Sequence, residues 1–247
     1  MNIVGVIPAR WASSRLPGKP LADLCGKPII QHTYEQCRKA VSLSQIIVAT
    51  DDERILKVVR AFGGEAVMTS SEHPNGTSRV AEAVKNVDCD YVINIQGDEP
   101  MIDPRMIDQL CKVLVASPCP MATLSCQFSS DEDADDPNNV KVVTAIDGKA
   151  LYFSRSLIPY ARNGKPPVYK HIGIYGYRKD FLPVYLSLSE TPLSEAESLE
   201  QLRALEHGYE IAVAVSAYPD SGVGINTPHD LELARKMMNE KVEQNDR

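Results

Sequence analysis

The sequence predicts an α/β fold with a mostly parallel sheet covered on both faces. Three observations carry this reading. Short apolar runs alternate with amphipathic stretches of helical spacing along most of the chain. The runs are continuous and rich in β-branched residues, as strands buried on both faces are. The length, 247 residues, suits one large α/β domain or a domain carrying an insertion.

The elements follow in order. Residues 3–8 form a short buried strand. Residues 28–40 have helical spacing, with Pro28 in the first turn, where its missing N–H costs nothing. A strand at 44–50 is followed by a helix at 53–62, a strand at 65–68 and a helix at 77–87. The run YVINI makes a strand at 91–95, and a helix at 104–115 leads to a strand at 121–126.

The pattern then changes. Residues 129–139 (SSDEDADDPNN) read as an acidic, solvated loop. Residues 140–143 and 150–153 form a hairpin across Asp147-Gly148, and 163–167 (NGKPP) is a second loose connection. A strand at 171–177, with two different faces, precedes a helix at 195–207, a strand at 210–215 and a last helix at 228–239. Residues 127–192 are therefore expected as an inserted subdomain beside the main sheet of a single domain, 1–247.

Composition narrows the function classes. A 43% hydrophobic fraction furnishes a core, and a net charge of −7 argues against a nucleic-acid-binding face. Anionic substrates stay open, because a local cationic loop acts inside an acidic protein. No run of about 18 apolar residues predicts a membrane span. The chain runs straight into a strand without a charged leader, so a cytoplasmic location is expected. The six cysteines show neither C-x-x-C pairs nor zinc spacing and read as free thiols.

The first strand ends in IPARWASSRLPGKPL, which sets Arg10, Arg15 and Lys19 among small, hydroxylated and turn-forming residues. Arginine forks two phosphate oxygens and lysine supplies a point charge, so the loop reads as a polyphosphate cradle. It is not a Walker A loop. The run NIQGDEP ends another strand in Gly97-Asp98, at the edge where open α/β sheets bind ligands. Asp98 reads equally as a turn residue or as a carboxylate facing phosphate across a magnesium ion.

In HPNGTSR, Thr77 is expected to cap the following helix and Gly76 to allow close approach; a base-reading role stays open. Ser194 to Glu197 reads as a capping box, with Glu200 and Gln201 on a solvated helical face or on hydroxyls of a sugar. Arg155, His171 and Tyr175 are polar groups in apolar strands, a pattern that is more often structural than catalytic. Thr227, Pro228 and Asp230 make a strong helix start.

These elements, in this order, resemble the CMP-Kdo synthetase family, the 3-deoxy-manno-octulosonate cytidylyltransferases. The resemblance is carried by the first loop together with IVATDDERI, MTSSEHPNGTSR, NIQGDEPMI, NNVKVV, ALYFSRSLIP, YKHIGIYGYR, LEQLRALEHG and NTPHDLE. It implies a Rossmann-like nucleotidyltransferase sheet with a smaller part that forms the sugar site and a homodimer contact. It also implies that CMP passes from CTP to Kdo with magnesium as cofactor.

By that resemblance Arg10, Arg15 and Lys19 hold the CTP phosphates, with Ser13 close by. Asn75, Gly76, Thr77 and Arg79 surround the cytidine, and Asp98 binds magnesium. Arg155, His171, Tyr175, Glu200 and Gln201 line the sugar pocket. One departure stands out: Asn226 replaces the family's second magnesium-binding aspartate. Two competing readings follow from it, a cytidylyltransferase for a related 2-keto acid such as 8-amino-Kdo and a weakly catalytic nucleotide-binding paralogue.

Overall fold

The computed structural model of the chain describes residues 1–13, 15–129, 132–220 and 224–245. The strands β1 (Ile3–Ala9), β4 (Gln45–Thr50), β5 (Ala66–Met68), β6 (Tyr91–Asn94), β7 (Met121–Gln127), β10 (Tyr169–Arg178) and β11 (Ile211–Val215) form the main sheet. Their spatial order is β11-β7-β10-β6-β1-β4-β5. β1 pairs in parallel with β4 and β6, β4 with β5, and β7 with β11. β10 alone on this path runs antiparallel, to both β6 and β7. Two small strands, β2 (Asp23–Leu24) and β3 (Lys27–Pro28), pair separately.

Strand periodicity builds the two cores. In β1, Ile3 and Ile7 join one cluster while Val4 and Val6 join the other, because successive side chains point to opposite faces. The first cluster is closed by α1 (Ile29–Cys37), α2 (Glu53–Ala61) and α4 (Pro104–Ala116). The second is closed by α3 (Gly76–Ala83), α5 (Phe181–Ser187) and α7 (Glu200–Glu206). α8 (Pro228–Asn245) packs through Leu231 and Ala234 on Leu24 and Ile29.

The chain leaves β1 towards β4 on one side and later returns to β6 on the other. That reversal opens a crevice beyond the carboxyl ends of β1 and β6, the usual ligand position in such sheets. Gly97, just after β6, permits the close approach there: a Cβ would stand 2.8 Å from the Pro8 carbonyl oxygen.

Four expectations need correction. The segment 127–192 is not wholly beside the sheet, because β10 lies between β7 and β6 in its middle. Only the hairpin of β8 (Lys141–Thr144) and β9 (Ala150–Ser154), with its flanking connections, extends from the sheet's edge by pairing with β10. The helix expected at 195–207 is two: α6 (Pro192–Glu197) and α7, separated by Ser198 at φ 50°. The capping box is Thr191 with Ser194, one turn earlier than expected. Asn75, not Thr77, caps α3: its Oδ1 accepts from Ser78 N at 2.9 Å. A four-residue propensity signal cannot choose among neighbouring polar residues, and tertiary burial draws Thr77 into the core.

α5 carries no clear helical signal in the sequence, because Pro183 interrupts its short apolar pattern. Within the acidic loop, Ser130 and Asp131 lie outside the described residues, and Glu132 pairs with Lys170 rather than standing in solvent. The six cysteines are free thiols as expected, all buried except Cys25. The capping at α8 is as expected: Asp230 Oδ2 accepts from Thr227 N at 2.8 Å, and Asp230 N donates to Thr227 Oγ1.

Candidate active site

The crevice at the switch point holds a cleft of about 380 Å³. Arg10, Ser13, Arg15 and Lys19 line it from the loop after β1; Asn75, Gly76 and Arg79 from the start of α3; Asp98 from the end of β6; and Asn226 from the approach to α8. Sequence reasoning therefore selected residues from four separate loops that the fold brings to one cavity.

The cations and the strand-end oxygens meet directly. Lys19 Nζ lies 2.6 Å from Asp98 Oδ2 and 3.2 Å from Asn226 Oδ1. Arg15 Nη2 donates to the same Asn226 oxygen at 3.2 Å. The Ile225 N–H donates to the Asp98 carbonyl at 2.9 Å, which holds the Asn226 segment against the end of β6. One carboxylate and one amide oxygen thus share a single cation.

Arg79 lines the cleft but is committed elsewhere. Its guanidinium donates to Asp51 Oδ2 at 2.8 Å and to Thr69 Oγ1 at 2.6 Å, with only 4% of the side chain exposed. Thr77 is 3% exposed, does not line the cleft and donates to Glu200 Oε2 at 3.1 Å. Burial raises the Glu200 carboxyl above the usual carboxylate range, and the Thr77 bond pulls against that rise.

The expected sugar residues divide. His171 and Tyr175 sit on β10 with ring centroids 5.3 Å apart. His171 lines a second cavity of about 240 Å³, beside Glu99, Lys170 and Gly173. Thr123 donates to the Ile174 carbonyl at 2.7 Å, so its oxygen accepts the Nε2–H of His171 at 3.0 Å. That tautomer leaves Nδ1 as an acceptor. Burial pulls the imidazole down to about 3, so the ring is neutral. Burial, and then the neighbouring Asp98, push Glu99 up to about 8.

Gln201 is 2% exposed and its Nε2 finds no partner; Asn94 Oδ1, across from Tyr175 in the β6–β10 pairing, is likewise unsatisfied. Arg155 lines neither cavity. Its guanidinium donates to the carbonyls of Glu197 at 2.7 Å, Pro137 at 3.0 Å and Ser198 at 3.4 Å.

Sequence reasoning missed Gln96 and His73, which line the cleft. Gln96 Nε2 donates to the Gly173 carbonyl at 3.1 Å, within the irregular stretch of β10 between Ile172 and Tyr175. Gln96 so joins the phosphate cleft to the strand that carries His171. The only signal for it was its place in NIQGDEP, two residues before Asp98. His73 pairs with Glu82 and precedes the α3 cap.

A cleft at the carboxyl end of a mostly parallel sheet, with a cationic loop facing a strand-end aspartate, defines a nucleotidyltransferase. The cytidylyltransferase family profile matches residues 4–211. A 3-deoxy-manno-octulosonate cytidylyltransferase of Geobacter metallireducens is 47% identical over 245 residues, covering 94% of this chain and 96% of the relative. An 8-amino-3,8-dideoxy-manno-octulosonate cytidylyltransferase of a Shewanella species is 47% identical over 244 residues, covering 96% and 99%. A solved structure of CMP:2-keto-3-deoxy-manno-octonic acid synthetase complexed with CTP superposes with a TM-score of 0.93 at 47% identity, covering 98% of this chain and all of that one. The chain belongs to the cytidylyltransferase family, among the 3-deoxy-manno-octulosonate cytidylyltransferases.

Proposed function

We propose that this chain transfers CMP from CTP to the anomeric hydroxyl of 3-deoxy-manno-octulosonate (Kdo), releasing pyrophosphate and supplying CMP-Kdo for lipopolysaccharide synthesis. The observation that carries the reading is the convergence of Lys19 and Arg15 with Asp98 and Asn226 in the switch-point cleft. The 47% identity to a synthetase complexed with CTP supports CTP as the donor.

Phosphoryl transfer of this kind depends on positioning and on charge neutralisation. Arg10, Arg15 and Lys19 offset the charge of the β- and γ-phosphates and of the departing pyrophosphate. The backbone N–H groups at Asn75 and Gly76, at the start of α3, add fixed partial positive charge at the same cavity. Gln96 aligns the sugar strand with the phosphates through Gly173. In the sugar site, neutral His171 accepts a hydrogen bond from a sugar hydroxyl at Nδ1, and Glu200 and Gln201 bond hydroxyls. Arg155 meets the sugar carboxylate by releasing the Ser198 carbonyl, the longest of its three contacts.

Magnesium fits the donor set. Among the described residues no cluster of three or more His, Cys, Asp or Glu forms an all-protein cage. A carboxylate and an amide oxygen that already share one cation, with room for phosphate oxygens and water, are what magnesium takes. Asp98 and Asn226 would hold it, and it would supply Lewis-acid stabilisation of charge at the transferring phosphate and make the attacking hydroxyl easier to deprotonate.

The protein acts as a cytoplasmic homodimer in this reading. The exposed apolar side chains of Ile146, Leu151, Leu157 and Tyr160 on and after the β8–β9 hairpin furnish the contact. No helix among the described residues is long and apolar enough to cross a membrane. A second acceptor, 8-amino-Kdo, is favoured by the equal identity to the Shewanella enzyme. Release of pyrophosphate from CTP is to be measured with no acceptor, with Kdo and with 8-amino-Kdo. Release that needs Kdo supports the first reading, release that needs only the amino sugar supports the second, and no release with either refutes both.

A further inference from the structure

The IVATDDERI segment has no part in the nucleotide or sugar assignments, yet it holds the cationic loop. Asp51 Oδ1 accepts from Trp11 N at 3.3 Å, while its Oδ2 pairs with Arg79. One half-buried carboxylate thereby ties the residue after Arg10 to the first turns of α3. Arg54 sets its guanidinium 3.4 Å from the centroid of the Trp11 ring. Asp52 orients that guanidinium, accepting from Nε at 2.9 Å and from Nη2 at 2.6 Å.

The Trp11 ring also rests on Gly18. A Cβ at Gly18 would stand 2.9 Å from Trp11 Cη2, and the residue's φ of 67° suits glycine. Gly18 N donates to the Trp11 carbonyl at 3.3 Å, closing the loop just before Lys19. Neither Asp51 nor Arg54 lines the cleft.

We propose that Asp51 and Arg54 are positioning residues for the nucleotide's β- and γ-phosphates. Acting through Trp11, they hold the loop from Arg10 to Lys19 in the shape that presents its cations. Three like charges on one loop repel one another, and ordering such a loop at the moment of binding weakens affinity. A loop folded around Trp11 beforehand escapes that loss. The inference rests on the nucleotide reading above and deepens it.

The test is calorimetric titration of the full chain with CTP and, separately, with CMP. The two ligands share the nucleoside and the α-phosphate and differ only in the phosphates that the loop holds. Arg54→Ala is expected to weaken CTP about two- to five-fold, the scale of one exposed cation–π contact, and to leave CMP unchanged. Arg54→Lys, which keeps a cation over the ring, recovers part of the loss. Asp51→Asn, which also loosens Arg79 at the cleft wall, weakens CTP more than Arg54→Ala does and weakens CTP more than CMP; if that variant does not fold, the Arg54 pair decides. Equal losses for both nucleotides, or no loss for either, would overturn the proposal. Failure of the unsubstituted chain to bind CTP or CMP would instead overturn the nucleotide reading itself, and the proposal with it.

Discussion

Lys19 forms a 2.6 Å ion pair with Asp98 across the crevice, joining residues that lie 79 positions apart in sequence. The first loop and the end of β6 thus compensate each other's charge. Each can exchange its partner for a ligand group of matching sign, phosphate for Lys19 and a divalent cation for Asp98. Asn226 sits against the same ammonium and contributes no charge of its own.

Asp98→Ala should cut pyrophosphate release at least about 100-fold, the scale of losing one preorganised electrostatic contact in a transition state. CTP should still bind, since Arg10, Arg15 and Lys19 remain. Parallel measurement of turnover and of CTP affinity checks this, and unchanged turnover would remove Asp98 from the chemistry.

Asn226→Asp should lower the magnesium concentration for half-maximal rate by about ten-fold, because a second carboxylate raises the charge of the donor pair. The readout is the rate against free magnesium for both proteins. Superimposable curves would show that Asn226 lies outside the metal's shell.

Thr77→Val leaves the buried Glu200 carboxylate without the hydroxyl that bonds it. Losing one such bond costs about 0.5–1.5 kcal/mol, or roughly two- to ten-fold in affinity. The KM for the sugar should rise by that factor while the KM for CTP stays level. An effect confined to CTP would place Glu200 with the nucleotide instead.

Stability should fall in acid through His171. Its ring is held down to about 3 in the folded chain against 6.5 for the free group, by burial. Between those values the unfolded chain binds a proton that the folded chain refuses. The contribution is complete above about pH 6.5 and is lost as pH falls towards 3, on the order of 5 kcal/mol in total. In denaturant unfolding from pH 7 to pH 4, subtracting the His171→Gln profile from that of the unsubstituted chain should isolate this slope, because Glu99, held up to about 8, adds the opposite slope to both proteins. Parallel profiles for the two proteins would contradict the assignment.

Much of this was legible in the chain. Apolar runs such as YVINI and QIIVAT carry their strand identity locally, and Arg10, Arg15, Lys19 and Asp98 are marked by charge at strand ends. What the sequence hid depends on distant partners. Ser198 breaks the 192–206 stretch in a left-handed conformation that a serine does not announce. β10 reads as part of an insertion because nothing in its own residues says that it pairs with β6 and β7. Gln96 and Asp51 take their roles from contacts at separations of 77 and 40 residues.

A crystal structure of the protein with CTP and magnesium tests the central claim most directly. It should show the triphosphate lying along Arg10, Arg15 and Lys19, with the Asp98 carboxylate released from Lys19 and turned to a metal on the α-phosphate. A nucleotide bound outside this cleft, or an Asp98 still paired to Lys19 beside a bound triphosphate, would contradict the account.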